Sequence, residues 1–209
     1  MQNNAKKSPF IVFEGIDGSG KSTQLKLTSK RLTDLGIKNV CHFEPTGGKI
    51  GKQIREILSG KEKADPRLMA LLFAADRIEH ITGQGGILEN IENSVAVLSD
   101  RYYFSSYAYQ MVDMPLSWVM EINSVAASIA KPNCHIFVDV SPEICLERIN
   151  QNRDTIEIFE NEKRLTLARE NFFKIIEKTA KTENVIVING NDSLEAVNEE
   201  IWQKIKYLF

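Results

Sequence analysis

The sequence predicts an α/β protein, a five-stranded parallel sheet flanked by helices. Short apolar, β-rich runs recur along the chain with helical patterns between them, and these runs lack the polar alternation of strands that face water on one side. A glycine-rich turn follows the first run and opens the first helix, as a parallel strand-helix-strand unit requires.

Phe10-Ile11-Val12-Phe13 is the first strand, a continuous apolar run. A helix over Lys21 to Leu35 is closed by Gly36, and the second strand covers Asn39 to Phe43. Two helices follow, Ile50 to Leu58 closed by Gly60 and Pro66 to Ile81 closed by Gly83. Val95 to Leu98 is the third strand, and a helix over Pro115 to Ala130 leads to the fourth, His135 to Val140, bracketed by Pro132 and Pro142. Helices over Pro142 to Asn150 and Asn161 to Ala180, a fifth strand over Asn184 to Ile188 and a helix over Ser193 to Leu208 complete the chain. With 209 residues, 43% of them apolar, no repeat and no Pro/Gly/Ser-rich divider, residues 1–209 are read as a single domain.

A net charge of −2, with Lys and Arg spread along the chain, points away from nucleic acid and toward small anionic ligands. Cys41, Cys134 and Cys145 have neither metal-ligand spacing nor an even number for disulfides, which fits reduced thiols in a cytoplasmic protein. His42, His80 and His135 have no metal-like spacing either, so structural or surface roles are expected of them. The polar start Met1 to Ser8 and the lack of any run near eighteen apolar residues predict neither secretion nor membrane insertion.

Gly15-Ile16-Asp17-Gly18-Ser19-Gly20-Lys21-Ser22 spells G-x-x-x-x-G-K-[ST] between the first strand and the first helix. That order aims unpaired backbone N–H groups and a positive helix end at one point, where a polyphosphate fits. Lys21 would neutralise the β and γ groups of a bound nucleotide, the Ser22 hydroxyl can reach Mg²⁺, and Thr23 continues the helix; the loop alone fits kinases, GTPases and motor ATPases.

In an open parallel sheet, ligands sit beyond the carboxyl ends of the strands. Those ends carry Glu44-Pro45-Thr46, Asp100-Arg101-Tyr102, Ser141-Pro142-Glu143 and Asn189-Gly190-Asn191-Asp192. Asp100 takes the place of a second magnesium carboxylate, and Arg101 could hold a second phosphoryl group. Alone, an Asp-Arg pair would read as a surface ion pair of little consequence; the phosphate loop opposite gives it meaning. A guanine-reading N-K-x-D motif is absent. Arg148 to Asp154 is a polar, arginine-bearing segment suited to a lid that closes over phosphates and favours transfer over hydrolysis.

The chain resembles the thymidylate kinase family of P-loop nucleoside monophosphate kinases over nearly its whole length. The blocks that carry the resemblance are Phe13 to Thr23, Glu44-Pro45-Thr46, Ile50 to Arg55, Leu72 to Arg77 and Asp100 to Gln110. It implies a P-loop NTPase fold with a short lid near residues 148–158, and transfer of the γ-phosphoryl of ATP to dTMP in the presence of Mg²⁺. It further implies that Phe73 stacks on thymine, Arg77 bonds its O4 edge, and Arg55 and Arg101 hold the acceptor phosphate. Ser106 and Gln110 would read the pyrimidine, Tyr109 would pack beneath the sugar, and Asp17 and Glu44 would line the sugar and phosphate end. Asp17 could bind the 3′-hydroxyl or position magnesium. A homodimer is implied as well.

With Ser19 at the variable loop position, the resemblance points to the subclass whose catalytic arginine comes from the lid, Arg153 first and Arg148 second; Arg148 could instead stack on adenine. The chain departs from the family pattern at Phe43, where many bacterial relatives have Arg, and at Asp154-Thr155-Ile156-Glu157, where they have D-R-x-E. Phe73 sits in the apolar run Leu71 to Ala75, and without the family context core packing would be its expected role. Another monophosphate or deoxynucleoside kinase, and a regulatory ATPase with a decayed acceptor site, are the alternatives.

Overall fold

The structure is a computed structural model and describes residues 8–152 and 161–209. Five parallel strands, β1 (Phe10–Glu14), β2 (Asn39–Phe43), β3 (Ala96–Asp100), β4 (Cys134–Asp139) and β5 (Val185–Asn189), form one sheet in the order β2-β3-β1-β4-β5. Burial follows position in the sheet. β1 is buried at every residue and β3 and β4 at all but their last, whereas the edge strands β2 and β5 are largely half-exposed. The missing polar alternation in the inner strands is therefore the mark of a sheet covered on both faces.

Parallel neighbours need crossovers, supplied by α1 (Lys21–Asp34), α2 (Lys49–Leu58), α3 (Pro66–Thr82), α4 (Ile87–Glu92), α5 (Tyr103–Gln110), α6 (Leu116–Ile129), α7 (Pro142–Asn152) and α8 (Glu162–Thr179); α9 (Leu194–Ile205) follows the last strand and ends in a 3-10 turn over Lys206–Leu208. Side-chain caps fix three starts: Asp65 accepts from Arg67 N–H, Asn161 from Arg164 N–H and Ser193 from Ala196 N–H. Gly36 and Gly60, at φ 75° each, end α1 and α2 as expected, while Gly83 ends α3 in extended backbone.

The predicted strands and helices stand within a few residues of their expected bounds, but α4 and α5 were not anticipated. The aromatic, serine-rich run of α5 has modest helix propensity; it is held helical by burial of Tyr103, Phe104, Tyr107 and Ala108 against α8 and α6.

Chain order reverses about β1: β3 pairs with one of its edges and β4 with the other. The crevice beyond the carboxyl end of β1 is the switch point where such sheets bind ligands, and the glycine-rich turn starts there. Among the described residues, no helix is long and apolar enough to cross a membrane.

Candidate active site

The phosphate loop leaves β1 at Glu14 and enters α1 through Gly20. Gly18 (φ 81°) and Gly20 (φ 91°) take left-handed backbone, and a Cβ at Gly18 would lie 2.4 Å from the Cys145 carbonyl oxygen, so only glycine fits there. In the first turn of α1, Thr23 N–H and Gln24 N–H both donate to the Gly20 carbonyl at 3.0 Å, which leaves the N–H groups of Lys21 and Ser22, at the positive helix end, for a bound anion. Ile16 turns its side chain into the core and Thr23 stays exposed, so both serve the loop through backbone and helix. Lys21 is buried, its Nζ 3.8 Å from Asp17 Oδ1.

Across the crevice, Ser22 Oγ donates to Asp100 Oδ2. The other oxygen of Asp100 is buried without a hydrogen-bond partner. A hydroxyl and a half-satisfied carboxylate form a hard-oxygen donor set, which fits Mg²⁺ completed by phosphate oxygens and water.

Arg101 follows β3 in left-handed backbone (φ 74°), a conformation that costs a non-glycine residue on the order of 1 kcal/mol or more. The turn brings its guanidinium back over the loop, where Nη2 meets Asp17 Oδ1 at 2.5 Å and Nη1 donates to Ser105 Oγ at 2.9 Å. The ring of Tyr109 lies under it, 5.1 Å from the guanidinium carbon. The Tyr109 hydroxyl accepts from Asp17 N–H at 3.0 Å and donates to Asp17 Oδ2 at 2.9 Å.

A cavity of about 500 Å³ opens beside this cluster. Asp17, Arg101 and Tyr109 line one end, and Arg55, Phe73, Arg77, Ser106 and Gln110 continue the wall. Arg55 donates to the carbonyls of Pro45 and Thr46, at 2.8 and 2.5 Å, and so clamps the loop after β2. Phe73 is half-buried against the small cluster of Ile54, Ile57, Leu58 and Met69, and reaches the cavity as well. Arg77 is 1% exposed: Nε donates to Glu44 Oε2 at 2.9 Å, Nη2 to Ser106 Oγ at 3.0 Å and Nη1 to Asn123 Oδ1. Nη2 also lies 2.7 Å from Glu44 Oε2, so every nitrogen of the guanidinium has a partner. Gln110 Oε1 is buried with no partner. Phe43, 57% exposed, stands at the mouth.

The sequence model of a family described as Thymidylate kinase matches residues 13–201. A probable thymidylate kinase of Methanococcus aeolicus is 39% identical over 201 residues, covering 94% of this chain and 95% of the relative. One from Methanocaldococcus jannaschii is 39% identical over 194 residues (92% and 93%), and a putative thymidylate kinase of Treponema pallidum is 35% identical over 200 residues (94% of each). The chain belongs to the thymidylate kinase family. Accordingly, it is a phosphotransferase on the fold that the motifs predicted.

Around the phosphate loop and the cavity the electrostatics follow from burial and pairing. Burial opposes the charge on Asp17, yet Arg101 and Lys21 hold its carboxyl well below the usual range. Burial lowers the Lys21 ammonium, with Arg101 adding to the effect. Glu14 is the reverse case. Its carboxylate, 0% exposed, accepts from Ser105 Oγ at 2.5 Å and Tyr102 N–H at 3.1 Å, and burial pushes it up to about 7 despite Ser105 and Arg101.

Glu44 turns both oxygens to Arg77 and His80, on the cavity's far wall. Arg148 reaches the carbonyls of Gly18, Ser19 and Gly190 at 3.5, 3.4 and 3.3 Å, behind the loop. Arg153 and the Asp154 to Glu157 segment lie outside the described residues. Sequence reasoning expected only a structural or surface role of His80 and assigned none to Asn123, Ser105 or the carboxylate of Glu14. Only Glu14, a charge ending a wholly apolar strand, carried a local signal.

Proposed function

We propose that the protein transfers the γ-phosphoryl group of ATP to the 5′-phosphate of dTMP, yielding ADP and dTDP. One observation carries the reading: the cavity shares Asp17 and Arg101 with the phosphate loop, while its far end holds Arg77, Ser106 and a buried, unsatisfied Gln110 amide oxygen. The charged end suits a monophosphate. The far end suits a base that presents an N–H and a carbonyl side by side, as thymine does at N3 and O4, with Phe73 offering a stacking face. The family's name supports the same acceptor.

In the reaction an oxygen of the acceptor phosphate attacks the γ phosphorus while the bond to the β-γ bridging oxygen breaks and ADP departs. The attacking phosphate is already anionic, so no proton has to be removed and no general base is assigned. Catalysis rests on positioning and charge compensation. Arg101 aligns the attacking oxygen, Arg55 assists in holding its phosphate, and Lys21 offsets charge on the β and γ groups. Ser22 and Asp100 would hold Mg²⁺, which would supply charge neutralisation to the phosphate groups. A lid arginine completes the scheme, Arg153 first and Arg148 second; the place of Arg148 beside Gly190 and the loop favours the adenine-facing alternative for it.

α3 and α6 pack on each other and leave Leu68, Leu71, Val125 and Ile129 exposed, which supports a homodimer through these helices. Three unpaired thiols and substrates from the nucleotide pool suit a cytoplasmic enzyme. The test is ADP formation with dTMP, dUMP, dCMP, UMP and thymidine as acceptors. Preference for dTMP is expected. Turnover with none of them would overturn the reading in favour of a regulatory ATPase.

A further inference from the structure

Glu44 stands on the cavity wall with both carboxylate oxygens engaged. Oε2 accepts from Arg77 Nε at 2.9 Å and lies 2.7 Å from Nη2, while Oε1 accepts from His80 Nδ1 at 2.9 Å. The opposite nitrogen of His80, Nε2, lies 2.6 Å from Nδ1 of His42, and the two rings meet edge to edge with their planes 25° apart. A hydrogen-bonded chain thus runs from half-exposed His42, on edge strand β2, through His80 and Glu44 to a guanidinium that is 1% exposed.

We propose that His80, backed by His42, is a positioning residue for acceptor-base recognition, which it serves by holding Glu44 in the one orientation that aims Arg77 into the cavity. The inference rests on the reading of Arg77 as a base-recognising residue.

Three features support it. Phe73, Arg77 and His80 follow one another at i, i+4 and i+7, so one face of α3 carries the stacking ring, the guanidinium and the imidazole that anchors its partner. A buried carboxylate accepts only, so His80 must present Nδ1–H to Glu44, which fixes the ring and leaves Nε2 for His42. Burial pushes His42 down to about 4; it stays neutral near pH 7 and can supply the Nδ1–H that Nε2 needs. Without His80, Glu44 Oε1 would be a buried, unpaired carboxylate oxygen. The side chain would then turn to find a donor and release the edge of Arg77 that it now grips.

The test compares His80→Leu, His80→Asn and His42→Ala with Arg77→Ala in steady-state assays, varying dTMP at saturating ATP and ATP at saturating dTMP. His80→Leu should raise the dTMP KM about tenfold, roughly the worth of one charge-assisted hydrogen bond. ATP KM and kcat should stay within about twofold, because the interaction lies away from the transferring phosphoryl. Asn, whose amide nitrogen can take the place of Nδ1, should recover most of the loss. His42→Ala, at a half-exposed position, should raise the dTMP KM about threefold and keeps the test decisive if the leucine variant does not fold. An unchanged dTMP KM in both His80→Leu and His42→Ala overturns the inference, as does a loss shared equally by both substrates or no recovery in the asparagine variant. If Arg77→Ala raises the dTMP KM while the histidine variants do not, only this inference fails; if Arg77→Ala leaves it unmoved, the base-recognition reading fails first.

Discussion

Replacing Glu14 by Gln should make the protein more stable at pH 8 and nearly indifferent at pH 4. The carboxyl is wholly buried, and burial raises it from 4.5 to about 7, against the smaller opposing pulls of Ser105 and Arg101. Between those values the folded protein holds a proton that the unfolded chain has released. Stability from this group is therefore fully present below pH 4.5 and is lost as pH rises through 7. At about 1.4 kcal/mol per unit, the shift amounts to about 3 kcal/mol. Glutamine imitates the protonated acid: its carbonyl can accept from Tyr102 N–H, and its amide can turn to Ser105 Oγ. Urea unfolding of both proteins at half-unit steps from pH 4 to 8 would isolate the group. His135 stays neutral across the window, being held near 3 by burial, and common titrations cancel in the difference. The difference in unfolding free energy should grow by about 3 kcal/mol in favour of Gln. Parallel curves would refute the reasoning, since they would mean that Glu14 titrates in the folded protein as it does in the unfolded chain.

Lys21→Ala should lower turnover by orders of magnitude while leaving the circular dichroism spectrum and unfolding cooperativity intact; a folded variant of near-normal activity would remove Lys21 from the phosphate site. Arg77→Ala should raise the dTMP KM by tenfold or more and leave that of ATP little changed, whereas a shift confined to ATP would mean that the two subsites are exchanged. Asp100→Asn should raise the Mg²⁺ concentration needed for half-maximal rate, and an unchanged magnesium titration would count against the Ser22 and Asp100 site. Arg153→Ala should cost about 10³-fold in turnover with little effect on ATP binding, and a loss confined to Arg148→Ala would transfer the role there.

The sheet was legible because a strand buried on both faces leaves its mark in contiguous residues: Phe10 to Phe13 cannot sit comfortably anywhere but a core. The phosphate loop was legible for a related reason. Its function is carried by backbone geometry, and the glycines that permit that geometry are neighbours in the chain. Asp100 and Arg101 needed one more step, from strand end to sheet edge. α5 was missed because Tyr103 to Gln110 becomes helical through what it packs against, which a local pattern does not record.

The polar interior was illegible for a deeper reason. Periodicity reports whether a residue is buried, but it is silent on which partner compensates a buried charge. Glu44 and His80 are 36 residues apart, Arg77 and Asn123 are 46 apart, and Glu14 and Ser105 are 91 apart. Each pairing exists only once the fold has brought distant elements together. Read one at a time, His42 and His80 looked like ordinary structural histidines, and Asn123 was a polar residue in an apolar helix. Yet Asn123, Glu44 and Ser106 together fix the guanidinium of Arg77, and with it the edge that the side chain presents to the cavity. Selectivity for a base should therefore depend as much on residues that never touch it as on those that do. In this fold such residues are reached by following buried charges to their partners.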